Sequence, residues 1–462
     1  MKENKIYVLE SMPVPKAIMN LAIPSVLSML VNILYNLTDT FFIGKLNDPY
    51  QVAAVSVSMP LFLLQMAMAG VFGIGGGSYL SRLLGKKDME GAKETLSTSI
   101  ITAAAISVVL GILGIIFIPY FMRMVGASGL TLVHAEKYML YILIGSPVVL
   151  LKFTLVQLLR AEGAAKEAMI GLFIGTGMNI LLDPLFIFGF NMGVTGAAVA
   201  TVLGNGCGML YYLLFYLRKK SLVTLSFVHF KPHWSCYKEI LMIGIPASLS
   251  QVMLSVGNTI SFRLASVYSD HHVAALGVAS RVFTIPIFIF IGISIGIQAL
   301  VGYTYGAGNF ARMKETIRTS VLISLSISAV LTLVFALFPE QLIKIFIKDA
   351  TLVEIGTLIL EAYVFAIPIA SLGMIMMTSL QAMGKALPAL LVSLSRQGIM
   401  YIPSIIILNK VFGFEGLVFA MPIADLLTTM LSVTLVIVII SKLRDLPATY
   451  PEAMPLPASP KE

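Results

Sequence analysis

Residues 93–118, KETLSTSIITAAAISVVLGILGIIFI, and residues 314–338, KETIRTSVLISLSISAVLTLVFALF, open on the same Lys-Glu-Thr and continue as long, mostly apolar runs. Each is longer than the roughly 20 mostly apolar residues that carry a helix across a bilayer. The correspondence extends along the chain at an offset of 220 to 222 residues. Ile23-Pro24-Ser25 returns as Ile245-Pro246-Ala247, and Gly85 returns as Gly306. Ala161-x-Gly163 becomes Ala382-x-Gly384, and Gly193-x-x-Gly196 becomes Gly413-x-x-Gly416. A duplicated apolar unit is the build of a secondary transporter, with its site between the two halves.

Composition agrees. Hydrophobic residues make up 58% of the chain and charged residues 12%, against about 25% charged in a soluble domain. Twelve segments are long enough to span: 17–44, 52–80, 94–118, 137–161, 168–190, 194–217, 239–267, 272–301, 316–338, 356–381, 388–411 and 415–441. With no water to satisfy the backbone in lipid, these runs must be helices. The fold class is all-α and polytopic, with an N-terminal six-helix lobe at 1–217 and a second lobe at 239–444. A basic cytoplasmic connector, 218–238, joins them, and the proline-rich residues 445–462 read as a disordered tail. Six is even, so both repeats enter from one side and are related by a pseudo-two-fold axis along the membrane normal. With both termini placed in the cytoplasm, most of the 31 Lys and Arg fall on that side. The +8 charge is thus a topology signal of a multi-pass cell-membrane protein, not a nucleic-acid footprint.

Other chemistries find little support. Cys207 lies in a span and Cys236 in the connector, so no disulfide is expected. No short apolar leader with a small-residue cleavage site opens the chain. The five histidines (His134, His229, His233, His271, His272) read as loop residues. The set His229, His233 and Cys236 lacks a specific metal-ligand spacing, so no structural metal is expected. No catalytic constellation and no nucleotide-binding domain appear; the chain is not an enzyme, and its energy must come from an ion gradient.

Polar groups inside spans are expensive and usually functional. In helix 1, Asn32, Tyr35, Asn36 and Asp39 form one stripe at i, i+3, i+4 and i+7. Helix 5 carries Thr176, Asn179 and Asp183 on one face, and helix 6 carries Thr201 and Asn205. Given the topology, all three sets lie at one depth in the outer half, which argues for a shared site. Pro184 frees the carbonyl of Ile180 and Pro24 that of Asn20, so both helices should kink. Freed carbonyls near carboxylates also suit a cation. The bland alternative makes Asp183-Pro184 a mere structural break. Under the repeat, Asp39 corresponds to Ser261 and Asp183 to Ile402 or Ser404, so the acid pair belongs to the first half alone. Arg281, Asp425 and Glu361 are expected to pair as an ion cluster. Gln251, Asn258, Gln298, Arg396 and Gln397 are further candidates to line a cavity, and Lys152 sits mid-span without an evident partner.

The run Tyr35-x-x-x-Asp39-Thr-x-Phe-x-Gly44, the Gly85 loop, and Asn179-Ile-Leu-Leu-Asp183-Pro184 followed by Thr201 resemble multidrug and toxic compound extrusion (MATE) transporters, in the DinF-like and MepA-like bacterial branch. The resemblance spans all twelve helices. It implies a V-shaped pair of lobes that exports cationic amphiphilic compounds against inward flow of H+ or Na+, without other cofactors. It also implies a first-lobe cation site built by Asp39, Asp183, Asn179, Thr201 and Tyr35, with Pro24 at a bend of helix 1. Relatives coupled to sodium through second-lobe acids are not matched, since helix 10 offers only Glu361. The partners expected are small molecules and the bilayer, and nothing requires more than a monomer. The rival reading is a flippase for a lipid-linked or polar metabolite; a channel would need no titratable pair.

Overall fold

The computed structural model describes residues 2–444; the expected tail at 445–462 lies outside them. Among the described residues every regular element is a helix. Helices 1 to 3 are Val14–Gly44, Pro49–Gly85 and Met89–Met124. Helix 5 is Ala165–Pro184 and helix 6 is Val194–Leu217. In the second lobe, helices 7 to 10 are Trp234–Ala265, Asp270–Gly306, Phe310–Leu337 and Ala350–Ala382.

Two spans depart from straight rods. Helix 4 is a pair of legs, Gly129–Ile144 and Ser146–Ala161, bent by 55°. Pro147 in the first turn of the second leg cannot donate to the preceding turn, and the Ser146 hydroxyl instead braces the bend by donating to the Ser107 carbonyl at 2.8 Å. Helices 11 and 12 follow one another with no loop over Ala386–Leu443, 58 residues. At about 1.5 Å per residue that is nearly three times the ~30 Å hydrocarbon core. The run breaks at Gly413, φ 62° and ψ −142°, so it makes two crossings and the total is twelve. Helix 7 begins at Trp234, which moves Cys236 out of the connector and into a helix. His134, His271 and His272 also sit in helices, not loops.

The duplication reaches the backbone conformation. Left-handed residues recur in register: Lys87 with Gly308, Gly163 with Gly384, and Gly193 with Gly413. Asp88 caps helix 3 by accepting from Gly91 N–H, and Asn309 caps helix 9 by accepting from Arg312 N–H. Short polar side chains at these ends satisfy amides that the helix cannot.

Glycines make the seam between lobes. A Cβ at Gly85 would stand 2.0 Å from the Tyr303 carbonyl, and one at Gly306 would stand 2.0 Å from the Arg82 carbonyl. These are the same contact seen from the two repeats. Gly75 against Ile240 and Gly296 against Ala22 form a second such pair. All of them lie in the halves of helices 1, 2, 7 and 8 nearest the termini and connector. The lobes therefore close on that side, backbone to backbone, as small residues allow in lipid.

Candidate functional site

Helices 5 and 6 meet through glycine. A Cβ at Gly204 would fall 2.7 Å from the Gly175 carbonyl and 2.8 Å from Asn179 Cβ, and one at Gly208 would fall 2.9 Å from the Gly171 carbonyl. This approach sets Asn179 and Asp183 beside Thr201, all three buried. Asn179 Nδ2–H donates to Asp183 Oδ1 at 3.2 Å, and Asn205 Nδ2–H donates to the Thr201 carbonyl at 2.7 Å. Helix 1 closes the group: the Tyr35 hydroxyl lies 3.3 Å from Thr201 Oγ1. Asp39 lies close enough to act electrostatically on both Asp183 and Tyr35. The polar groups that the sequence assigned to one depth thus stand together.

After Pro184 the chain makes a π-helical turn, Leu185–Gly189. Helix 1 continues as helix across Pro24. Asp183 Oδ2 and Asn179 Oδ1 have no hydrogen-bond partner. Buried oxygens of this kind normally have one. Among the described residues no group of three or more His, Cys, Asp or Glu could hold a metal ion. Tyr138 of helix 4 is a member that the sequence did not reveal; it lies within electrostatic reach of Asp39, Tyr35 and Asp183. One tyrosine in an apolar run makes no stripe.

Below this group the first lobe encloses a cavity of about 230 Å3, whose walls include Asn32, Tyr35, Asn36, Asn179 and Asn205. Gln251, Asn258, Gln298 and Gln397 do not line it. Gln251 and Asn258 are exposed on helix 7, while Gln298 and Gln397 are half-buried. The expected ion cluster does not form. Asp425 is buried and accepts from Arg396 Nε–H at 2.8 Å, whereas Arg281 and Glu361 are exposed and make no ion pair. Arg281 and Glu361 lie on other helices, and the helix 11 π turn, Ser395–Ile399, carries Arg396. Ser261, the repeat equivalent of Asp39, meets the Tyr401 hydroxyl at 2.7 Å, a neutral pair where the first lobe has an acid.

A twelve-span, two-lobe chain with polar groups buried inside its spans is a multi-pass membrane transporter by fold and by site. A family model described as MatE matches residues 24–185 and again 246–407, once in each repeat. The chain belongs to the MATE family of transporters, and it is not an enzyme. Multidrug export protein MepA of Staphylococcus aureus (strain MRSA252) is 30% identical over 438 residues, 94% of this chain and 96% of that protein. MepA of Staphylococcus haemolyticus (strain JCSC1435) is 30% identical over 436 residues, with the same coverage. An outward-facing structure of a multidrug resistance MATE family transporter of the MOP superfamily superposes with a TM-score of 0.91 at 26% identity, covering 96% of this chain and 99% of the other.

Proposed function

We propose that this protein is a cation-coupled antiporter that exports amphiphilic organic compounds across the cell membrane, with both termini in the cytoplasm. The staphylococcal relatives are multidrug export proteins, and cationic amphiphiles are the class the sequence resemblance implies. With that orientation the glycine seam is the cytoplasmic seal, and the described conformation is open to the outside.

The observation that carries the reading is Asp183, fully buried, with Oδ2 unpartnered beside the unpartnered Asn179 Oδ1 and within reach of Asp39. Two carboxylates in one shielded site repel one another until a cation arrives. Entry of H+ or Na+ from the open side neutralises the pair. Helix 1, linked to helix 6 through Tyr35 and Thr201, then draws toward helices 5 and 6 and narrows the cavity. Because the ion and the substrate favour different states, their fluxes are coupled.

Efflux of a fluorescent cationic dye from oriented proteoliposomes, under a proton gradient and then a sodium gradient, tests this. Wild type should export the dye under one gradient, naming the ion, and Asp183→Asn should lose at least about tenfold in rate, the factor for about 1.4 kcal/mol of coupling. Undiminished export by Asp183→Asn would remove the residue from coupling. A second reading, export of a lipid-linked or polar metabolite, is favoured by one feature, Lys152 and Arg160 among the walls of the first-lobe cavity.

A further inference from the structure

Two basic side chains, Lys152 and Arg160, line the first-lobe cavity, and neither forms an ion pair among the described residues. Arg160, near the end of helix 4, is 7% exposed. Its Nη1–H donates to Gln157 Oε1 at 3.0 Å, while Nε and Nη2 are buried and unpartnered. Lys152 stands eight residues earlier, just over two turns away. Its Cε lies 3.7 Å from where a Cβ at Gly208 would be, so the side chain runs inward against helix 6 and not out to lipid. The charged group that acts on Lys152 is Arg160. Asp39 and Asp183 are not among the walls of the cavity.

A buried charge without a counter-charge is strongly disfavoured, and two like charges more so. The second lobe shows how this chain satisfies a buried cation. Offset by 220 residues, Thr176 and Asn205 correspond to Arg396 and Asp425. There the arginine has a built-in carboxylate at 2.8 Å, and the space left is about 10 Å3. The first-lobe cavity has the cations and the space, and no carboxylate among its walls.

We infer that the first-lobe cavity binds an oxyanion, a carboxylate or phosphate, carried on an apolar body. The oxyanion sits between Lys152 and Arg160, whose donors match its oxygens. The body lies on Phe62, Met66 and Phe153, side chains suited to varied apolar shapes. This rests on the export reading and gives its substrate an anionic group that the resemblance alone would not.

Thermal melting of the purified full-length protein in non-ionic detergent tests it, with decyl phosphate and decanoate as probes and decyltrimethylammonium as the charge-reversed control. Both anions should raise Tm by several degrees, at concentrations where the ammonium does not. Lys152→Gln and Arg160→Gln should each need at least about tenfold more anion for the same shift, as loss of one charge-assisted hydrogen bond implies. Arg160→Lys should recover part of it. Should a Gln variant fail to fold, Lys152→Met takes its place; lacking the unpaired charge, it should melt above wild type without ligand and likewise need at least about tenfold more of either anion. Equal shifts from anions and ammonium that persist in these variants would overturn the inference. Nanodiscs of phosphatidylcholine with and without phosphatidylglycerol separate two sources of the oxyanion. A shift from phosphatidylglycerol that decyl phosphate competes away assigns a lipid headgroup; no such shift assigns a free amphiphile. Dye export without anion binding leaves the export reading standing and sinks this one, and the converse result does the reverse.

Discussion

Asp183 and Glu162 are both buried carboxylates, and their surroundings satisfy them differently. Asp183 keeps one oxygen unpartnered. Glu162, just past the end of helix 4, accepts from the Tyr216 hydroxyl at 2.8 Å, from Leu222 N–H at 3.0 Å and from the Ser221 hydroxyl. Those bonds tie helix 4 to helix 6 and the start of the connector. Burial raises the Glu162 carboxyl above its ordinary value of 4.5, against the lowering effect of Ser221 and Tyr216. A raised carboxyl contributes stability that is complete below the unfolded value and lost as pH climbs through the folded one. Wild-type Tm should therefore decline as pH rises above about 4.5, and Glu162→Gln should flatten that slope; a slope unchanged in the variant would refute the assignment. Sequence reading found Asp39 and Asp183 because an acid in a span stands out against lipid. It passed over Glu162, which lies at a helix end where acids are ordinary, and over Tyr138.

Among the elements, glycine spacing and helix breaks decide whether the residues meet. Gly175, Gly204 and Gly208 bring helices 5 and 6 within backbone contact. A valine at Gly204 would collide with Asn179 and Gly175, at a cost of about 1–3 kcal/mol for overpacking. Gly204→Val should reach the membrane folded, melt several degrees lower and lose dye export, measured in the same proteoliposomes. Retained export would mean that the Asn179–Thr201 geometry is not needed. The apolar pattern located every span, and helix 6 falls on 194–217 as expected, while the start of helix 4 lies at Gly129, eight residues before the expected 137. It could not show the bend in helix 4 or the joined helices 11 and 12. A hydropathy run registers length, whereas a bend depends on which neighbour accepts the freed backbone bonds.

For the whole molecule, the two lobes meet along a symmetric glycine seam in the halves of helices 1, 2, 7 and 8 nearest the termini and connector. Gly70 of helix 2 faces Ser248 of helix 7, with 3.1 Å between a Cβ at the one and Oγ of the other. Cβ atoms bridged by a disulfide stand ~3.5–4.5 Å apart, a separation that so short a Cβ-to-Oγ contact allows. In a background without Cys207 and Cys236, Gly70→Cys with Ser248→Cys should cross-link on oxidation. Holding the seal shut should abolish export, and reductant should restore it. Export by the cross-linked protein would show that the seam need not open.

The sequence by itself determined the membrane class, the twelve helices, the duplication and the first-lobe location of the acids. Each follows from a local cost: an apolar run needs lipid, a backbone in lipid needs a helix, and an acid in lipid needs a partner or a task. Only the tertiary structure decided which partners those were. It joined Asp425 to Arg396, left Lys152 and Arg160 unpaired around a cavity, and brought Tyr138 to the acids. Pairing between helices depends on how closely two backbones approach and at what rotation, and glycines distant in sequence set both.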